Sequence, residues 1–271
     1  MKLQFLLMFL IVNNSIFSQN IYLPESSYIM YPMMVFSFKN NEIQFWEAGT
    51  VNRDGSEREP EKNLNGIYHL EYIDKMNFIN IQWENNQNER YLILYNNELC
   101  YLYKTDGNVY FRGFKIRRGA PGELCFPANS SNVQITSSSY LVEGNTTYSA
   151  DKLYERIGEC WAEGVEGQGI NETLYLRTLR ANSLHISTGF VSFNRPYLFN
   201  YNSRPRKIEL YVRNKFQFII ELKDTPNFQT INLPEQLDKD DILELKILEV
   251  YTGIRYEDTC INIILLDWVR Y

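Results

Sequence analysis

The feature that most constrains this chain is its punctuation: short apolar-aromatic runs, each cut off by a few turn-forming residues. Runs at 34–38, 43–46, 67–73, 78–83, 91–95, 99–103 and 109–116 alternate with Lys39-Asn40-Asn41, Asn85-Asn86-Gln87-Asn88, Asn96-Asn97 and Asp106-Gly107-Asn108. Runs of that length suit strands, and close spacing through Asn and Gly turns describes an antiparallel meander. Asp106-Gly107, between Tyr101-Leu102-Tyr103-Lys104 and Val109-Tyr110-Phe111, is the strongest candidate for a tight hairpin. The stretch 52–65 is charged, has no apolar period and is read as a loop. The second half repeats the pattern at 172–179, 183–191, 207–212, 215–222, 228–233, 242–250 and 261–268. No strand–helix alternation is visible, which disfavours a doubly wound parallel sheet. The expected fold class is all-β: an antiparallel β-meander over 20–118, forming a small barrel or sandwich, and a second β-unit over 136–271. The turn-rich stretch 119–135 is expected to link them.

Composition narrows the function. Twenty Tyr and 16 Phe suit half-buried pleated surfaces, and 44% hydrophobic residues are enough for packed cores. A net charge of −6 supplies no basic face for nucleic acid. With only two histidines, His69 and His185, multi-histidine metal chemistry is disfavoured. Alternation puts His69 on the face of Ile67 and Glu71, and both histidines read as ordinary strand residues. The chain has no nucleophile elbow, HExxH or P-loop. Gly164-x-x-Gly167-x-Gly169 lacks a strand–helix context and is read as a turn where backbones approach closely. A non-enzyme is expected; the catalytic alternative is a site within residues 20–118.

Lys2, an apolar run over 3–12 and the small residue Ser18 describe a secretory signal over 1–18, too short in its apolar part to span a bilayer. No cysteine lies near that cleavage region, so the expectation is an exported, soluble, periplasmic or extracellular protein that is not a lipoprotein. Four cysteines, Cys100, Cys125, Cys160 and Cys260, permit disulfides in three full connectivities. One bridge in each half is the economical arrangement, and four buried thiols are the alternative. No CxxC pair supports redox or zinc-ribbon chemistry.

Three motifs in the second half carry a resemblance. They are Cys160-Trp161-Ala162-Glu163-Gly164-Val165-Glu166-Gly167-Gln168-Gly169-Ile170, then Asn200-Tyr201-Asn202-Ser203-Arg204-Pro205-Arg206-Lys207, then Val250-Tyr251-Thr252-Gly253-Ile254-Arg255-Tyr256-Glu257-Asp258-Thr259-Cys260-Ile261. In this order they resemble the discoidin-like (coagulation-factor type C) domain found beside streptococcal NAD glycohydrolase, the NADase-type glycan-binding or translocation domain, whose relatives occur in exported bacterial proteins. The resemblance covers residues 128–271 and leaves 20–118 untouched. It implies a galactose-binding-like jelly roll, a β-sandwich whose loops at one end contact ligand, and a binding module without catalysis. NAD hydrolysis belongs to a different domain from the one matched. The chain departs from the family pattern at Asn171, where a glycine is expected. It departs again at Asn262-Ile263, where Ser-Glu is expected.

On this reading the ligand candidates are Tyr148, Trp161, Tyr197, Tyr201, Asn202 and Arg204. Tyr148, Tyr197 and Tyr201 lie in turn-rich stretches and suit an exposed platform, whereas Trp161 is either a stacking face or a core residue. Asn202 is either a hydroxyl-binding residue or a turn residue. Arg204 offers a forked contact to a hydroxyl pair or acidic sugar, or a structural pairing with Glu257 or Asp258. Glu257 and Asp258 are the weak metal candidates. Calcium is disfavoured because two carboxylates fall well short of the roughly six to eight oxygens it takes, and no other cofactor is expected. The expected partner is a glycan or glycoconjugate. The alternative is an envelope or host protein bound without sugar specificity, as in an assembly module.

Overall fold

The computed structural model describes residues 26–30, 34–47, 63–115, 126–127, 133–177 and 180–268. The expected signal over 1–18, Cys125, and most of the 52–65 loop and the 119–135 link lie outside the described residues. Among the described residues no helix is long and apolar enough to cross a membrane.

The first half closes into a barrel. Strands β1 (Ser26–Met30), β2 (Met34–Lys39), β3 (Glu42–Glu47), β4 (Asn63–Ile73), β5 (Met76–Trp83), β6 (Asn88–Tyr95) and β7 (Leu99–Tyr103) pair in sequence. After the short β8 (Gly107–Asn108), β9 (Phe111–Lys115) pairs with both β7 and β1 and shuts the ring. Turn chemistry sets the hairpins. Asp74 and Lys75 both adopt left-handed φ (48° and 66°) between β4 and β5, the backbone demanded by a tight primed turn. Alternate residues then point inward, including Phe36, Phe38, Ile43, Tyr68, Ile79, Tyr91, Leu102 and Phe111. Their rings interlock edge to face, as in Phe36–Phe111 at 4.5 Å and Phe38–Tyr68 at 5.6 Å. His69, Ile67 and Glu71 share the exposed outer face, as alternation requires.

The second half is a two-sheet sandwich. Its strands are β10 (Phe126–Pro127), β11 (Gln134–Ser137), β12 (Val142–Glu143), β13 (Thr146–Thr147), β14 (Arg156–Ile157), β15 (Trp161–Ala162), β16 (Thr173–Arg177) and β17 (Ala181–Thr188). After the one-turn helix α1 (Leu198–Tyr201) come β18 (Arg204–Val212), β19 (Lys215–Glu221), β20 (Gln229–Leu237), β21 (Ile242–Tyr251) and β22 (Cys260–Trp268). One sheet runs β10-β22-β17-β20 with β15 added on β22, and the other runs β11-β16-β21-β18-β19. Between them Leu176, Leu184, Ile186, Leu210, Leu245 and Ile264 build the sandwich core, each worth about 1.5–3 kcal/mol of burial. The architecture is all-β throughout, a barrel followed by a jelly-roll sandwich.

Barrel and sandwich share a third core. Met76, Phe78, Leu92, Leu94, Leu99, Tyr101 and Tyr103 from the barrel wall pack with Val191, Phe199, Phe228, Ile263 and Leu265 of the sandwich. The period of two explains this: Cys100 and Leu102 face the barrel interior, so Leu99, Tyr101 and Tyr103 face out, onto the sandwich. The Asp106-Gly107 stretch is accordingly not a tight hairpin. The β7–β9 ladder ends at Leu102–Phe111, and Gly107–Asn108 pairs instead with Arg156–Ile157. The Asp106 carboxylate opens this loop, accepting hydrogen bonds from Ser192 Oγ (2.9 Å), the Phe193 N–H (2.6 Å) and Asn194 Nδ2 (3.1 Å). A second polar clamp joins Lys75 of the barrel to Asp224, which Arg204 also holds, and a third joins Arg112 to Glu155.

Candidate functional site

The loops at one end of the sandwich surround a cleft of about 160 Å³. Tyr148, Phe190, Arg195, Tyr256, Glu143 and Asp258 line its walls, with Asn202 and Cys260 at its base. Backbone ladders set Tyr148 in place: its N–H donates to Leu141 O (2.9 Å) and its carbonyl accepts from Ala162 (3.0 Å). Its ring meets Phe190 edge to face at 6.3 Å, and the Arg195 guanidinium lies 5.7 Å above the Phe190 ring. The Tyr256 N–H donates to Tyr201 O (2.8 Å), which ties the 251–259 loop to α1.

Electrostatics in the cleft are mixed. Partial burial and then the neighbouring Glu143 carboxylate, to which its hydroxyl donates, push Tyr148 up to about 12, so the phenol stays protonated. Burial and then the charges of Glu143 and Glu257 raise the Asp258 carboxyl above its usual value. Beneath the wall, Glu163 accepts N–H bonds from Val165 (2.9 Å) and Thr259 (3.3 Å), while its burial raises it. The glycines of this motif allow the packing. A side chain on Gly164 would run into the Tyr140 carbonyl, and Gly169 sits at φ +62° with Glu163 packed against it.

The sequence candidates divide. Tyr148 lies in the cleft, and Tyr197 and Tyr201 continue from Tyr256 as an aromatic row with ring spacings of 5.0 and 6.3 Å. Arg255 rides over Tyr201 and Tyr256. Trp161 is completely buried in the sandwich core, its indole donating to Ser139 O at 3.0 Å, so it offers no stacking face. Asn202 is buried and spends its amide on Leu198 O at 2.8 Å, capping α1. Arg204 is buried too, forked onto Asp224 at 2.8 Å twice, with Nη1 on the Phe199 and Asn202 carbonyls. Its partner is therefore Asp224 rather than Glu257 or Asp258, because the side chain turns inward beneath α1. Among the described residues, Glu257 and Asp258 belong to no group of three His, Cys or carboxylate ligand atoms within 4.8 Å of one another. Cys100, Cys160 and Cys260 are buried free thiols, and the neighbouring Cys160 and then its own burial raise Cys260 well above its usual value. Sequence reasoning missed Glu143, Phe190, Arg195 and Tyr256; only Tyr256 stood inside a recognised motif.

Comparison with known proteins bears on this end of the molecule. Residues 128–267 match the family model of the NAD glycohydrolase translocation F5/8 type C domain. The chain belongs to that family. The F5/8 type C segment thus contains the whole cleft, from Leu141 to Cys260. Of its departures from the family pattern, the one at Asn171 has a local answer. Asn171 takes the left-handed φ of 75° that glycine adopts freely, and asparagine is among the side chains that tolerate it. Asn262 is buried with neither amide atom hydrogen-bonded. Among solved structures, the chain is similar to the family 32 carbohydrate-binding module of Clostridium perfringens NanJ in complex with galactose. That match has 13% identity and a TM-score of 0.41, and covers 54% of this chain and 100% of that one. It is also similar to the Clostridium perfringens module CpGH89CBM32-5 in complex with GalNAc-β-1,3-galactose, at 15% identity and TM-score 0.40, covering 52% and 99%. The search of curated proteins returns no match.

Proposed function

We propose that this is an exported carbohydrate-binding protein that holds one neutral sugar ring in the Tyr148–Arg195–Tyr256 cleft. The observation that carries the reading is the composition of that cleft. Aromatic faces for the apolar side of a pyranose stand beside an arginine donor and the acceptors Glu143 and Asp258. A volume of about 160 Å³ is well under the roughly 300–1,000 Å³ of drug-sized pockets, which suits a single ring. Two carboxylates against one guanidinium favour uncharged hydroxyls over an acidic sugar. The aromatic row Tyr256–Tyr201–Tyr197 supplies a path for a second residue of a longer glycan. Cys260 at the cleft and Cys160 beside it in the same buried cluster form the pair that an oxidising compartment would close as a disulfide.

Calorimetric titration of the full chain with galactose and with GalNAc-β-1,3-galactose tests the reading. Saturable binding that Arg195→Ala weakens at least about tenfold is the expected result. The variant should stay within about 0.5 kcal/mol of wild-type stability because Arg195 is exposed. Binding indifferent to Arg195→Ala, with the variant folded, would remove the cleft from the account.

A further inference from the structure

A second constellation lies away from the cleft, where barrel meets sandwich. His185 sits mid-strand in β17 on the face turned to the barrel, opposite Leu265 of β22 and Thr230 of β20. Asp267 lies two residues further along β22 on the same face, and Glu98 comes from the β6–β7 turn of the barrel. The Nε2 of His185 is 3.1 Å from Asp267 Oδ1 and 4.0 Å from Glu98 Oε2, and the three donor atoms fall within 4.8 Å of one another.

The imidazole is almost wholly enclosed, at 1% side-chain exposure, yet Nε2 has no hydrogen-bond partner. Its approach to Asp267 is close but not aligned for an N–H bond. A bound cation needs a different geometry: tetrahedral donors with bonds near 2.1 Å stand roughly 3.4 Å apart. The His185–Asp267 spacing of 3.1 Å lies just below that value and the His185–Glu98 spacing of 4.0 Å just above it, so small movements of the two carboxylates, Glu98 being partly exposed, bring all three donors onto one ion. Outer contacts hold the ligands in turn: His185 Nδ1 is 2.9 Å from Thr230 Oγ1, and Ser183 Oγ donates to Asp267 Oδ2 at 2.7 Å.

We propose that Glu98, His185 and Asp267 bind one borderline divalent cation, of the Zn²⁺ or Co²⁺ type, between barrel and sandwich. One imidazole and two carboxylates suit such an ion better than calcium, which prefers an all-oxygen shell. The exposed side of Glu98 is the entry path, and water completes the coordination. Because the ligands come from both units, the ion would fasten them together.

The test is Zn²⁺ titration of the metal-stripped full chain by calorimetry, with Co²⁺ absorption as a second readout. One site per chain is expected, with a melting temperature rising on the order of 5–10 °C at about a hundredfold excess over Kd. Glu98→Gln, at a partly exposed turn, keeps the fold and should weaken uptake at least about tenfold and abolish the thermal shift; His185→Gln should do the same. Absence of saturable uptake, or uptake unchanged in folded Glu98→Gln, would overturn the proposal. So would uptake lost instead in Cys260→Ser, which would put the ion on the thiol pair.

Discussion

In the β22–β17–β20 sheet, every side chain from 183 to 188 and from 261 to 267 is buried, whereas burial alternates along β21 and β18 of the facing sheet. The strands are of similar length and share one sandwich core. The difference is the barrel, which covers the outer face of β17 and β22, while β20 at the sheet edge alternates like the strands of the second sheet. Most polar groups buried in these two strands find partners, as Ser183, Ser187 and the Nδ1 of His185 do, whereas Asn262 and the Nε2 of His185 have no hydrogen bond. The barrel therefore closes off much of one face, and the loop end and the facing sheet are left open to solvent.

The comparison breaks most severely if the barrel is only lightly docked. Leu265 faces the barrel and Leu245 the sandwich core, both essentially buried. Truncating either to alanine should cost about 3 kcal/mol or more in denaturant unfolding. A Leu265→Ala cost below about 1 kcal/mol would show an interface that is not a core. The Asp224 clamp comes next. Burial works to raise this carboxyl, but hydrogen bonds from Arg204 and Lys75 outweigh it and hold Asp224 below its usual value. A lowered carboxylate contributes stability that is complete above its unfolded value of about 3.9 and lost as pH falls through the lower folded value. Asp224→Asn should cost about 3 kcal/mol at neutral pH, since it strands buried Arg204, and the gap to wild type should close in strong acid. A gap constant with pH would deny the clamp its charge. The mildest effect belongs to the open end. Asp258 is raised by burial and then by Glu143 and Glu257, so as an acceptor it is lost earlier on acidification than an ordinary aspartate. Sugar affinity should thus fall in mild acid while stability holds, and Asp258→Asn should flatten that profile.

Much of the barrel was legible because its signal is local. Asn-rich turns and strict alternation fix which of Phe36, Tyr68 and Ile79 face inward without knowledge of any distant residue. The Asp106 loop was misjudged because its partners, Ser192 to Asn194, lie more than 80 residues away and outcompete the local turn. Arg204 failed for the same reason: a conspicuous arginine between turn residues looks solvent-facing until Asp224 is brought beneath it. The cleft was half legible. Tyr148 sat in a visible loop and Tyr256 in a motif, but Glu143 comes from the short strand β12 and Phe190 and Arg195 from the β17–α1 connection, far away in sequence. His185 looked like a plain strand residue because both its strand neighbours and Glu98 are remote in sequence.

The most direct test of the sugar cleft is a crystal structure of the full chain with galactose. The account predicts one ring bounded by Tyr148, Phe190 and Tyr256, with hydroxyls on Arg195 and Asp258. Galactose ordered on the barrel or on the open sheet, with this cleft empty, would contradict it.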